Sequence, residues 1–129
     1  MSLVMNDKKK MLVGNSFPLS LVRGGEVRMT CPSLCELQKL VRDSEVVSYW
    51  GHENTRSVAE AVLGASLKPK CDRPALAIDP SGRPTLEGES FDTCWVLSPD
   101  YVKGYRPAIG HEVGPESITG WSVVKIEWI

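Results

Sequence analysis

The chain has almost no net charge to offer a polyanion. Its 129 residues carry 15 Lys and Arg against 16 Asp and Glu, a formal charge of −1 at pH 7. Proteins that coat long duplex DNA or RNA need a basic excess, so no long nucleic acid is expected as a partner. Long apolar runs are also missing. None approaches the roughly 20 residues of a membrane-spanning helix, so no membrane partner is expected. Residues Met1 to Lys10 turn polar and basic after Met5 and contain no signal-peptide core. The expected compartment is therefore the cytoplasm.

Cysteine is scarce and unsuitably spaced for a staple or a metal. Cys31 and Cys35 do not have zinc-knuckle spacing, Cys71 stands alone, and Cys94 lies in an apolar run. Free thiols are the expectation, with no metal and no cofactor. A glycine-rich nucleotide fingerprint, a Walker motif, a nucleophile elbow and an internal repeat are all absent. What remains is the length of one domain with one core.

Residues 1–10 are expected to be a disordered extension or a cloning remnant, and residues 11–129 a single domain. Met11 to Gly14 is a short apolar strand, followed by the turn-forming run Asn15-Ser16-Phe17-Pro18. Glu26 to Cys31 alternates, which predicts a strand with Val27, Met29 and Cys31 inward. Ser33-Leu34-Cys35-Glu36 is a capping box. It opens a helix whose stripe is Leu34, Leu37, Leu40 and Val41. Val46 to Trp50 is β-branched and aromatic and reads as a buried central strand. Thr55, Val58, Ala59, Val62 and Leu63 predict a second helix, ended by Gly64.

Beyond that helix, strands are expected at 74–78, 91–97 and 121–128. The segment 85–90 is expected to be irregular, and 98–120 a long loop rich in Pro and Gly. The fold class is α/β: a compact mixed β-sheet of about five or six strands with two main helices packed on it.

The stretch Val46 to Thr55 draws the chemistry. A strand that passes through Gly51 and His52 into a helix exposes backbone N–H groups at the positive end of a helix dipole. His52 is one of only two histidines. A lone histidine at a strand end is often a cap or a packing residue, and Asn15 beside it in the argument is by default a turn residue.

Two stretches together carry a resemblance. Met11-Leu12-Val13-Gly14-Asn15-Ser16-Phe17 is similar to the opening strand and Asn-Ala-Phe-Ser turn of the small viral anti-CRISPR ring nucleases. Trp50-Gly51-His52-Glu53-Asn54-Thr55 resembles their Gly-His-Asp/Glu-x-Thr turn. The resemblance implies a compact α/β homodimer that cleaves cyclic tetra-adenylate, or a related small cyclic oligonucleotide, without a metal. It implies a ligand contact at Asn15 and at Gly51, and a catalytic role for His52. The family's Arg-x-x-Glu aligns best with Tyr105-Arg106-Pro107-Ala108-Ile109, so Arg106 fits and Ile109 stands where the acid should be. Glu112 is the nearest acid. Pro18 displaces the family's serine, leaving Ser16 and Ser20 as substitutes. Two other readings stand beside this one: a protein that binds and sequesters a cyclic oligonucleotide, and a structural or interaction module docking through the 98–120 loop.

Overall fold

The computed structural model describes residues 9–22, 25–51, 53–69, 76–101 and 117–129, with the backbone alone at 9, 19, 53 and 54. In chain order the elements are β1 (Lys9–Gly14), a 3-10 turn (Leu19–Leu21), β2 (Val27–Thr30), α1 (Leu34–Arg42), β3 (Ser44–Ser48) and α2 (Glu53–Leu63). There follow β4 (Leu76–Ile78), β5 (Pro84–Leu86), β6 (Glu89–Ser90), β7 (Thr93–Tyr101) and β8 (Ile118–Trp128). The main sheet has five strands in the order β2-β8-β7-β1-β3, and β4-β5-β6 form a second, three-stranded sheet. The main sheet is mixed: β1 is parallel to both β3 and β7, while β8 is antiparallel to β7 and β2.

β1, rather than the 46–50 segment, holds the interior of the parallel half. Its run is too short to announce this. Yet Leu12 and Val13 are both 0% exposed although successive strand residues face opposite sides. Met11 and Val13 join Trp95, Leu97 and Val123 on one face, where Leu37 and Val41 of α1 and Ala59 and Leu63 of α2 cover them. Leu12 joins Cys94, Val96 and Ile126 on the other face, under Leu86 of the small sheet and Phe91. The result is three layers: two helices, five strands, three strands. β3 is an edge strand that pairs only with β1 among the described residues. Its ladder continues one bond further, from Tyr49 N–H to the Val13 carbonyl at 3.2 Å.

Local chemistry sets the helix ends. Ser33 Oγ accepts from Glu36 N–H at 3.1 Å and starts α1. Gly64 stops α2 with φ +72°, its N–H bonded to the Glu60 carbonyl at 2.8 Å. Gln38 Nε2 donates to the Val62 carbonyl at 2.8 Å and ties the helices together. Among the described residues no helix is long and apolar enough to cross a membrane.

Several further expectations differ from the structure. The 85–90 segment is a hairpin, because Glu87 and Gly88 both take positive φ (51° and 84°) and form the tight two-residue turn that suits twisted strands. Leu40 is 39% exposed: the buried stripe is centred on Leu37 and Val41, and Leu40 falls about a quarter turn from it. Met29 is 54% exposed and Cys31 is exposed, because β2 lies at the sheet edge and only Val27 reaches the lower cluster. β7 and β8 run on as a hairpin to Tyr101 and from Ile118, into the segment expected to be a loop. The strand β1 also begins at Lys9, two residues ahead of Met11.

The turn before β5 is built on one carboxylate. Asp79 Oδ1 accepts from Ser81 N–H at 2.9 Å, Ser81 Oγ at 2.6 Å and Arg83 N–H at 3.0 Å, while Oδ2 accepts from Ser90 Oγ at 2.7 Å. These donors, led by the Ser81 hydroxyl, hold its pKa well below the usual carboxylate range.

The helical cover gives a direct check on the packing. Leu37→Ala should cost about 2–5 kcal/mol, and Leu40→Ala less than about 1 kcal/mol, in urea unfolding. Equal costs for the two would contradict the observed stripe.

Candidate functional site

Strands β1 and β3 run parallel to β7 and end on one side of the sheet, where β7 continues to Tyr101. Val13 pairs with Ser48, and Gly14 pairs with Val96, so the residues that follow all emerge together. Ligands of open α/β sheets bind outside such carboxyl ends, where free backbone groups and helix starts converge. Here the chain leaves β1 as Asn15-Ser16 and leaves β3 as Tyr49-Trp50-Gly51, then enters α2 at Glu53.

Hydrogen bonds join these exits. Asn15 Oδ1 accepts from Gly51 N–H at 3.1 Å, across 36 residues of sequence. From β7, Ser98 Oγ donates to the Asn15 carbonyl at 3.3 Å, across 83 residues. Behind them, Trp50 N–H donates to Ser48 Oγ at 3.0 Å, and Trp50 Nε1 donates to Thr55 Oγ1 at 3.3 Å. The buried indole thus braces the first turn of α2. The bond to Gly51 fixes which way the Asn15 amide points, and its Nδ2 group has no partner among the described residues. Asn15 is half-buried, while Ser16 and Gly51 are exposed. The rim therefore offers amide donors to an anion, next to the helix start.

Of the residues singled out from sequence, the structure brings Asn15 and Gly51 into contact, with Ser16 adjoining. Ser20 lies exposed in the 3-10 turn. His52, Arg106 and Glu112 lie outside the described residues, as does Cys71. His52 is the single position between Gly51 and the first residue of α2.

Sequence reasoning missed Ser98, since it opens a segment that reads as loop. Only the parallel pairing of β1 with β7 shows that it stands beside Asn15. It also missed the wall beyond: Ser122 Oγ donates to Asp100 Oδ1 at 2.7 Å, and Thr119 Oγ1 donates to the Asp100 carbonyl at 3.1 Å. These bonds carry the β7–β8 hairpin past the end of β1. Among the described residues no group of three His, Cys, Asp or Glu could hold a metal ion. An open cleft of about 660 Å³ lies elsewhere, between Leu21 and the Asp79 turn, where the Asp79 carboxylate is already occupied by its own turn.

No family model matches the chain, and no curated protein matches it by sequence. In fold the chain is similar to B116 of Sulfolobus turreted icosahedral virus, with a TM-score of 0.58 over 94% of this chain and 99% of that one, at 15% identity. At that identity the likeness shows the fold alone: a small archaeal-virus protein has the same architecture from end to end.

The bond between the two strand exits is testable without a ligand. Asn15→Ala should leave Gly51 N–H without its protein acceptor and lower stability by about 0.5–1.5 kcal/mol in chemical unfolding. An unchanged midpoint would mean that the bond adds nothing to the fold.

Proposed function

We propose that this protein is a metal-independent ring nuclease that cleaves cyclic tetra-adenylate, the second messenger of type III CRISPR defence. One observation carries the reading. The two stretches that resemble the ring nucleases, far apart in sequence, are joined by the 3.1 Å bond from Gly51 N–H to Asn15 Oδ1. They meet at the carboxyl ends of the parallel strands β1 and β3, the kind of position where α/β sheets hold phosphate ligands. The fold likeness to a viral protein over 94% of the chain is compatible with it.

The chemistry asks little of the protein beyond positioning. A ribose 2′-oxygen attacks the adjacent phosphorus. The bond from 2′-oxygen to phosphorus forms, the bond from phosphorus to the 5′-oxygen breaks, and the proton of the 2′-hydroxyl is balanced by one delivered to the 5′-oxygen. In this reading the Asn15 Nδ2 group, the backbone N–H of Ser16 and those at the start of α2 hold the phosphate, while Gly51 N–H orients Asn15. His52 supplies the proton to the leaving oxygen, and Arg106 forks two phosphate oxygens. Glu112, the acid nearest in sequence to Ile109, would support Arg106, and Ser20 is the further candidate ligand contact. A ring of two-fold symmetry suits a homodimer in which each subunit contributes one His52.

A second reading keeps the binding and drops the cleavage. Ile109 stands where the resembling family has its acid, which favours a protein that sequesters the ring. Labelled cyclic tetra-adenylate incubated in EDTA separates the two, since the nuclease yields linear product and the sequestering protein returns the ring intact.

If the nuclease reading holds, His52→Ala should slow single-turnover cleavage by roughly 10²–10⁴-fold, with ring affinity nearly unchanged. Wild-type protein that neither binds nor cuts the ring would end both readings. Arg106→Ala should weaken ring binding by about 1.5–3 kcal/mol. Arg28→Ala, on the exposed side of β2, should leave it alone, and calorimetric titration compares the pair.

A further inference from the structure

The hydrogen bonds at the strand exits do not explain what holds the two exits at their spacing. The answer lies just beneath them. Gly14 closes β1 immediately before Asn15, and its backbone has no positive φ to account for glycine. Its requirement is space. A Cβ at Gly14 would stand 2.6 Å from Tyr49 Cε1 and closer still to Cζ and Cε2, so the tyrosine ring lies flat against the bare α-carbon. Tyr49 is the residue after β3, two before Gly51. One ring therefore touches the last residue of one strand while belonging to the exit of the other.

The ring is held at its hydroxyl end, the end that lies over Gly14. Its hydroxyl and Cys94 Sγ are 3.1 Å apart in the lower core, and Cys94 is on β7, the third strand of the same edge. Burial keeps both groups in their neutral forms: it raises the tyrosine pKa far above its ordinary value and pushes the thiol up to about 12. The contact is therefore a neutral hydrogen bond throughout the physiological range.

We infer that Tyr49 is a positioning residue. Its ring against Gly14 and its hydroxyl on Cys94 set the register of the β1, β3 and β7 exits, and so the approach of Asn15 to Gly51. Its relevance to catalysis rests on the site proposed above, whereas its action on the exits does not. Apolar packing alone would hold a phenylalanine ring here, but with no directional bond to β7. The hydrogen bond to Cys94 adds that tether.

The test reads Gly51 itself. The solvent-exchange rate of the Gly51 amide, measured by NMR, reports the bond to Asn15 and needs no substrate. Tyr49→Phe keeps the ring and removes the tether. It should speed Gly51 exchange about three- to tenfold, the loss expected for one such bond, while amides of the β7–β8 ladder such as Val124 keep their wild-type rates. Cys94→Ala should do the same from the other end. Cys94→Ser, which retains a partner for the hydroxyl, should restore the wild-type rate. If the ring is cut by wild-type protein, Tyr49→Phe should also lower kcat with KM unchanged. Gly51 exchange that is unchanged in Tyr49→Phe and Cys94→Ala, or that rises in step with the whole ladder, would overturn the inference. Absence of ring cleavage would overturn the proposed function, and the exchange result would still decide the role of Tyr49.

Discussion

The whole arrangement follows from a strand that has no polar face. Leu12 and Val13 of β1 point to opposite sides of the sheet, and neither touches water. A strand of that kind needs apolar cover on both sides and a partner along both edges. The two helices and the small hairpin sheet provide the cover, and β3 and β7 provide the partners. Electrostatics contributes little to this layering. Lys10 reaches Glu89 of the small sheet at 2.8 Å and Glu45 of β3 at 3.9 Å, but all three side chains are solvent-exposed, where water screens such pairs. Apolar contact is what holds the layers together.

Placing β1 between two parallel partners has a geometric effect. All three strands deliver their carboxyl ends to one edge, and an antiparallel neighbour would have sent one of them away. The exits then meet through short polar contacts from Asn15, Gly51 and Ser98. The core supplies the direction of these residues, and the hydrogen bonds supply only the last ångström.

The parts of this that were legible in the sequence are those written in local chemistry. The Ser33 cap, the stripe of α2 and the Gly64 stop each act within a few residues, so their signals survive without a structure. Asn15 and Gly51 were legible through short motifs. The β5–β6 hairpin was hidden because its turn places Glu87, rather than Asn or Asp, at positive φ. The outer part of the β7–β8 hairpin was hidden because Ser98-Pro99-Asp100 has the composition of a loop. Its pairing is sustained by cross-strand bonds such as Ser122 to Asp100, which no single stretch of sequence reveals. Ser98 was missed for the same reason: its neighbour lies 83 residues away.

That sequence separation also bears on how the chain folds. α1 and α2 can form from local contacts, whereas the Asn15 contacts close loops of 36 and 83 residues. Loop closure on that scale is entropically unfavourable until the sheet that rewards it is in place. A collapsed intermediate with both helices formed would still lack the strand-exit rim, because the rim exists only when β1, β3 and β7 are in register together. Any ligand that binds there would recognise the native state and not its precursors, so at a free concentration L it would stabilise the fold by RT ln(1 + L/Kd), with no part lost to binding the precursors.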